Sequence, residues 1–195
     1  MRKRRLDEVD EIAYGERWDP QTATSLKGYP TYTEEQARAL YEGSERFTLV
    51  VVGIVREQDR AWIAWALGFG GEDGASARAQ ATWYTPGGSI VAIAGYSNID
   101  GRLFRSGSTR YTFPDTVAYY GANESSEMVL FDFRPDGTGV VFLSAQVDGV
   151  EENRNGTFEG APVEGLWMDK PGWKQWEDLL DWRYGGAAAE MFDPS

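Results

Sequence analysis

A chain of 195 residues that is 42% hydrophobic and 14% aromatic carries enough apolar material for one sizeable core, so a single domain is expected over residues 1–195. It contains neither cysteine nor histidine, which excludes disulfides, zinc-thiolate and histidine metal sites, Ser-His-Asp and Cys-His catalysis, and an imidazole pH switch. The net charge of −12 is uneven: residues 121–195 hold 15 acids against five bases, a field that repels nucleic acid and attracts basic partners.

Arg2, Lys3, Arg4 and Arg5 open the chain, but Leu6-Asp7-Glu8-Val9-Asp10-Glu11 follows where a signal peptide would place an apolar stretch. No run approaches the ~18 apolar residues of a membrane span, so the chain reads as cytoplasmic. The region from Tyr14 to Pro30 shows no sustained period and contains Trp18-Asp19-Pro20 and Gly28-Tyr29-Pro30, the mark of extended or irregular chain, so residues 1–30 read as an irregular N-terminal segment. Thr33-Glu34-Glu35-Gln36 is a capping box that predicts a short helix, with Ala37, Leu40 and Tyr41 on its apolar face and Gly43 as a left-handed stop.

Residues 47–55 are β-branched and continuous, as in a strand covered on both sides, and Gly53 marks a bulge or a close approach. Glu57-Gln58-Asp59-Arg60 turns the chain into residues 61–67, a second strand whose rival is a helix. Strict alternation there puts Trp62 and Ala64 on one side and Ile63 and Trp65 on the other. Residues 68–76, with four glycines and two acids, read as a loop; Gly68-x-Gly70 lacks the third glycine of a dinucleotide fingerprint. Residues 78–84 and 89–96 are strands joined at Pro86-Gly87-Gly88. Asn98-Ile99-Asp100-Gly101 turns into separate short strands at 102–105 and 111–113.

Residues 128–147 form the clearest hairpin. Pro135 and Asp136 suit the centre of a type I turn and Gly137 the following positive-φ position, a three-residue loop with a G1 bulge. Asp148-Gly149 and Asn155-Gly156 are both type I′ signals, so the meander is expected to continue through Thr157 and Phe158. Asn123-Glu124-Ser125 and Asn155-Gly156-Thr157 match the glycosylation pattern and read as unmodified turns. An amphipathic helix closes the chain, with Asp169 as cap, Pro171 in its first turn, and Gly185-Gly186 as its stop. Its stripe is Trp173, Trp176 and Leu180, with Leu179 and Tyr184 beside it, docked on the sheet. Residues 187–195 are a loose tail. The fold class is therefore α+β and β-rich: a mostly antiparallel meander, open or rolled towards a barrel, with a short N-terminal and a C-terminal helix packed on it.

No catalytic set emerges. Asp132 interrupts an apolar strand, but alternation with Arg134 explains it as the solvent side, and Arg134 occupies a ligand position that a calcium loop needs. The chain is read as a binding protein and not an enzyme, without cofactor or metal. Its candidate partner-binding residues are Glu151, Glu152, Glu159, Glu164, Asp169, Glu177, Asp178 and Asp181, acids easiest to rationalise if a cationic partner covers them, with Trp167 and Trp182 as anchors.

This combination of acidity, aromatic richness, a β-rich core and no catalytic set resembles the immunity proteins of bacterial toxin systems. The resemblance implies an antitoxin role: binding a cognate toxin, a basic nuclease or a nucleotide-consuming enzyme, over its active site; the acidic field and the lack of an apolar span lead us to expect no nucleic-acid or membrane partner. The Phe133-Arg134-Pro135-Asp136-Gly137-Thr138-Gly139 hairpin is also similar to turns of lipocalin-like barrels, which implies carriage of an apolar small molecule.

Overall fold

Runs of β-branched and aromatic residues separated by short turn segments form strands that pair with their chain neighbours. In the computed structural model, which describes residues 8–43, 47–71 and 78–181, the elements are β1 (Glu11–Gly15), β2 (Trp18–Asp19), β3 (Thr24–Ser25), β4 (Thr31–Tyr32), α1 (Glu34–Glu42), β5 (Phe47–Glu57), β6 (Arg60–Gly71), β7 (Arg78–Tyr84), β8 (Ile90–Ile99), β9 (Arg102–Thr112), β10 (Glu127–Phe133), β11 (Gly139–Val147), β12 (Val150–Phe158), β13 (Trp167–Asp169) and α2 (Glu177–Leu180). The main sheet is antiparallel and runs β12-β11-β10-β9-β8-β7-β6-β5-β1-β4, with β13 paired to the first residues of β9; β2 and β3 form a separate ribbon. The fold is α+β and β-rich. β12 and β4 are edges, so the sheet is open and the barrel alternative is corrected.

Local signals hold where they are local. The Gln36 N–H donates to Thr33 Oγ1 at 3.3 Å and the Thr33 N–H to Gln36 Oε1 at 2.9 Å, the reciprocal capping box. The Gly137 N–H donates to the Arg134 carbonyl at 3.0 Å with Gly137 at φ +81°, and the Arg134 N–H donates to Thr138 at 2.8 Å, which is the type I turn with its G1 bulge. Asp148 (φ +52°) and Gly149 (φ +80°) make the two-residue loop between β11 and β12.

Several expectations are corrected where pairing overrides local preference. Gly43 ends α1 in extended geometry (φ −70°), not left-handed; its N–H donates to the Ala39 carbonyl at 3.0 Å, and a Cβ would lie 2.9 Å from that oxygen. β6 continues through Gly68–Gly71 instead of looping out at residue 68; residues 72–77 lie outside the described ones. β9 is one strand of 11 residues rather than two short pieces. Asn155 and Gly156 are not a turn: they lie within β12, opposite Phe142 and Val141. The C-terminal helix is a four-residue turn, since residues 171–176 are irregular and Asp169 belongs to β13; Tyr184 and Gly185-Gly186 lie outside the described residues.

The alternation of β6 also breaks. Gly53 pairs with Trp65 and Ile54 with Ile63, so Ala64 is the extra residue of a β-bulge. The bulge swings Trp65 onto the side of Trp62 and Ala64, away from Ile63, and the indole lies over Gly53.

Both faces of β5 and β6 are buried. On one, Ala37 and Tyr41 of α1 join Leu49, Val51, Trp62 and Leu67, together with Met168, Trp176, Leu179 and Leu180 from the end of the chain. Docking of the Trp176 stripe as core is thus as expected. The Tyr41 hydroxyl donates to the Pro171 carbonyl at 2.6 Å, and Trp173 stacks on Tyr14 at 5.6 Å. On the opposite face Val52, Ile54, Ile63 and Ala66 pack beneath Trp18 and Ala23 of the β2-β3 ribbon region. A third cluster joins Phe104, Phe131, Phe133 and Leu166. Among the described residues, no helix is long and apolar enough to cross a membrane.

Candidate functional site: an apolar stripe on the open half of the sheet

The acidic candidates do not share one face. Glu151 and Glu152 alternate to opposite sides of β12, and Glu159 lies beyond its far end, roughly 25–30 Å along the strand direction. Glu151 accepts from Ser144 Oγ and Asn153 Nδ2, each at 3.1 Å, and Glu152 pairs with Arg154 at 3.0 Å. Glu164 begins a short 3-10 turn, and Asp169 pairs with Arg102 at 3.1 Å. Trp167 is half-buried against Phe104 (4.8 Å) beneath the Arg102 guanidinium (5.7 Å), packed on the third cluster. Glu177 and Asp178 are exposed on the first turn of α2, and Trp182 lies outside the described residues.

Asp181 has an internal role. Arg105 is only 1% exposed, and burial pushes its pKa down while the fields of Tyr96 and Asp181 hold it up. Reversing Asp181 to Lys sets a second cation in the field of a desolvated guanidinium, and a loss on the order of 1 kcal/mol is expected. Urea denaturation checks this, with Glu177→Lys and Asp178→Lys expected to be nearly neutral beside it.

What the sheet does bring together is a cross-strand row that no linear pattern displays. On the face opposite α1, register aligns Val52, Ala66, Thr82, Ile93, Thr109, Leu130, Phe142 and Asn155 on successive strands from β5 to β12. The row starts beneath the β2-β3 ribbon in the core, but Ile93, Leu130 and Phe142 belong to none of the three clusters and stay half-exposed. The next row adds Tyr111 and Met128, also half-exposed, then Ser144 and Asn153. Asp132 stands beside the stripe, exposed, paired with Gly107 and Val140, as alternation requires.

The stripe is prolonged by a stack of rings. Tyr111 and Phe113 have centroids 6.3 Å apart at 15°, and Phe113 and Tyr120 5.6 Å apart at 11°. The loop carrying Tyr120 is held at several points. Asp115 Oδ1 accepts the Val117 and Ala118 N–H groups at 2.8 and 2.9 Å, and its Oδ2 accepts the Tyr120 hydroxyl at 2.7 Å. The Ala118 N–H, the Tyr120 hydroxyl and the Val117 N–H together hold this carboxyl below the usual range. The buried Ser89 hydroxyl accepts from the Tyr120 N–H at 2.7 Å and donates to the Ala118 carbonyl at 3.3 Å. The Gly87 N–H donates to Thr116 at 3.1 Å, and a Cβ on Gly87 would sit 2.2 Å from the Ala118 oxygen. This fixed loop presents Val117 and Tyr119 at 67% and 54% exposure.

Chemically, the surface is an apolar strip continued by aromatic rings, with Asp115, Glu124, Asp132 and Glu151 as the acids near it. Of the described residues expected from sequence, only Glu151 lies on it. Ile93, Leu130, Phe142 and Tyr119 were missed; the signal available was the apolar residue on both parities of residues 128–131, one more than a single buried face needs. No family model, curated protein or solved structure matches the chain.

Proposed function

We propose that the chain is an acidic binding protein acting in the cytoplasm as an immunity protein, neutralising a cognate bacterial toxin enzyme, a basic nuclease or a nucleotide-consuming enzyme, by covering its active site. The observation that carries this reading is the half-exposed row Ile93, Leu130 and Phe142, which lies outside the three core clusters of the described residues and is bordered by acids in a chain of net charge −12. A cationic cleft is drawn in by the field, which sets the association rate. Fixed aromatic and aliphatic groups then supply affinity at small entropic cost, because the Asp115 and Ser89 contacts already hold the loop.

The test starts from an enzyme recovered with the protein from its native host. Its activity is expected to fall to background at one equivalent of the purified protein, with association slowing as salt rises. Phe142→Ala should weaken binding about tenfold or more while leaving the far-UV spectrum unchanged. An enzyme that stays fully active when saturated, or binding indifferent to Phe142→Ala, overturns the reading.

A further inference from the structure

The two ends of the sheet are unequal. β4 is two residues long, whereas β12 is an edge of nine, every residue of it exposed except Phe158. Because the two-residue loop at Asp148-Gly149 is closed by a hydrogen-bonded pair, Val147 with Val150, alternate residues of β12 (Val150, Glu152, Arg154, Gly156) turn their N–H and C=O groups towards β11. Glu151, Asn153, Asn155 and Thr157 turn theirs outward. A free row of this kind accepts an antiparallel strand only in registers that place outward residues opposite outward residues.

We infer that β12 is the pairing edge for a second copy of this chain, antiparallel about a two-fold axis through Asn153. In this register Asn153 faces the partner's Asn153 and Glu151 faces the partner's Asn155, all outward-turned, so their main-chain groups exchange hydrogen bonds. Between them Glu152 stands opposite the partner's Arg154, and Arg154 opposite the partner's Glu152, in the pairs where side chains approach most closely. Val150, 64% exposed in the single chain, meets the partner's Gly156, which leaves room for it. Shifting one copy by a single allowed step in either direction puts Glu152 against the partner's Glu152, or Arg154 against the partner's Arg154. Charges that blunt an edge towards foreign strands thus select one register of self-pairing. In the single chain the two residues satisfy each other at 3.0 Å, and pairing exchanges that contact across the axis. The edge is short against a standard interface, so the dimer is concentration-dependent. The inference stands independently of the toxin-binding proposal, because the stripe lies on the sheet face and β12 pairs through its edge.

The experiment is sedimentation of the full chain over a concentration series, joined to amide exchange. A monomer–dimer equilibrium is expected, with the Glu151, Asn153 and Asn155 amides gaining protection as concentration rises. Glu152→Arg and Arg154→Glu each place like charges opposite one another and should weaken self-association by about tenfold or more. Mixing the two variants should restore a dimer, now mixed, since every pair is again of opposite sign. A wild-type chain that remains monomeric throughout overturns the inference. So does a dimer that both variants form as well as the wild type, or a mixture of two folded variants that fails to associate.

Discussion

Gly53→Ala should lower the stability of the fold by about 3 kcal/mol, at the upper end of what overpacking a core costs. A Cβ at this position would lie 2.2 Å from Trp65 Cε2, 2.5 Å from Nε1 and 2.6 Å from Cζ2. Trp65 is fully buried, and the bulge at Ala64 fixes the direction from which its ring enters. The indole cannot withdraw without disturbing Leu49, Val51 and Leu67 in the same cluster. Urea denaturation gives the value, and the double variant Gly53→Ala/Trp65→Phe separates the causes. A smaller ring should make the glycine change cheaper, giving a coupling energy of about 1 kcal/mol or more. A single variant within 0.5 kcal/mol of wild type, on the order of a surface change, would show that the ring and the glycine are not in the contact described.

Trp176→Ala is expected to cost about 3–5 kcal/mol, the usual range for emptying a large aromatic site. Trp176 is completely buried and packs its ring against Tyr41, Phe69 and Trp173, with centroids 5.0–6.1 Å apart. It therefore ties α1 to the end of the chain. The same region carries a titration signature. Burial pushes the Tyr41 phenol up to about 12 from an ordinary value of 10.0, so the folded state keeps this proton after the unfolded chain has lost it. The stabilisation is whole below pH 10 and is lost as pH rises to about 12. Tyr41→Phe should flatten part of that alkaline decline, readable from phenolate absorbance and denaturation midpoints. An alkaline slope unchanged by Tyr41→Phe would place the effect on another tyrosine.

What sequence reveals about this fold follows the range of the interactions involved. The Thr33 to Gln36 box and the Pro135-Asp136-Gly137 turn are decided within four residues, and the geometry follows the residues. Asn155-Gly156 carries an equally strong local signal and is overruled, because β11 offers a continuous ladder that the turn would have broken. Trp65 was placed on the wrong side for the same reason: one extra residue, visible only once β5 supplies the register, reverses the parity of everything after it. The C-terminal stripe was legible as apolar spacing, yet its residues reach the core through an irregular segment that spacing cannot distinguish from helix. The contact surface was the least legible of all. Ile93, Leu130 and Phe142 are scattered along the chain and become neighbours only through three successive hairpin registers. Charge, the property a sequence states most openly, pointed to acids that prove to be dispersed, with Asp181 acting on the buried Arg105.

The meander has a bearing on how the molecule is made. From β5 to β12 each strand pairs with the one synthesised just before it, so sheet growth needs only short loop closures and can keep pace with translation. The seam between Tyr41 and Pro171, 130 residues apart, cannot form until both are free of the ribosome. A nascent chain halted after β12 should therefore hold a paired sheet whose α1 side still lacks Met168, Trp176, Leu179 and Leu180, the stage at which it would most need a chaperone.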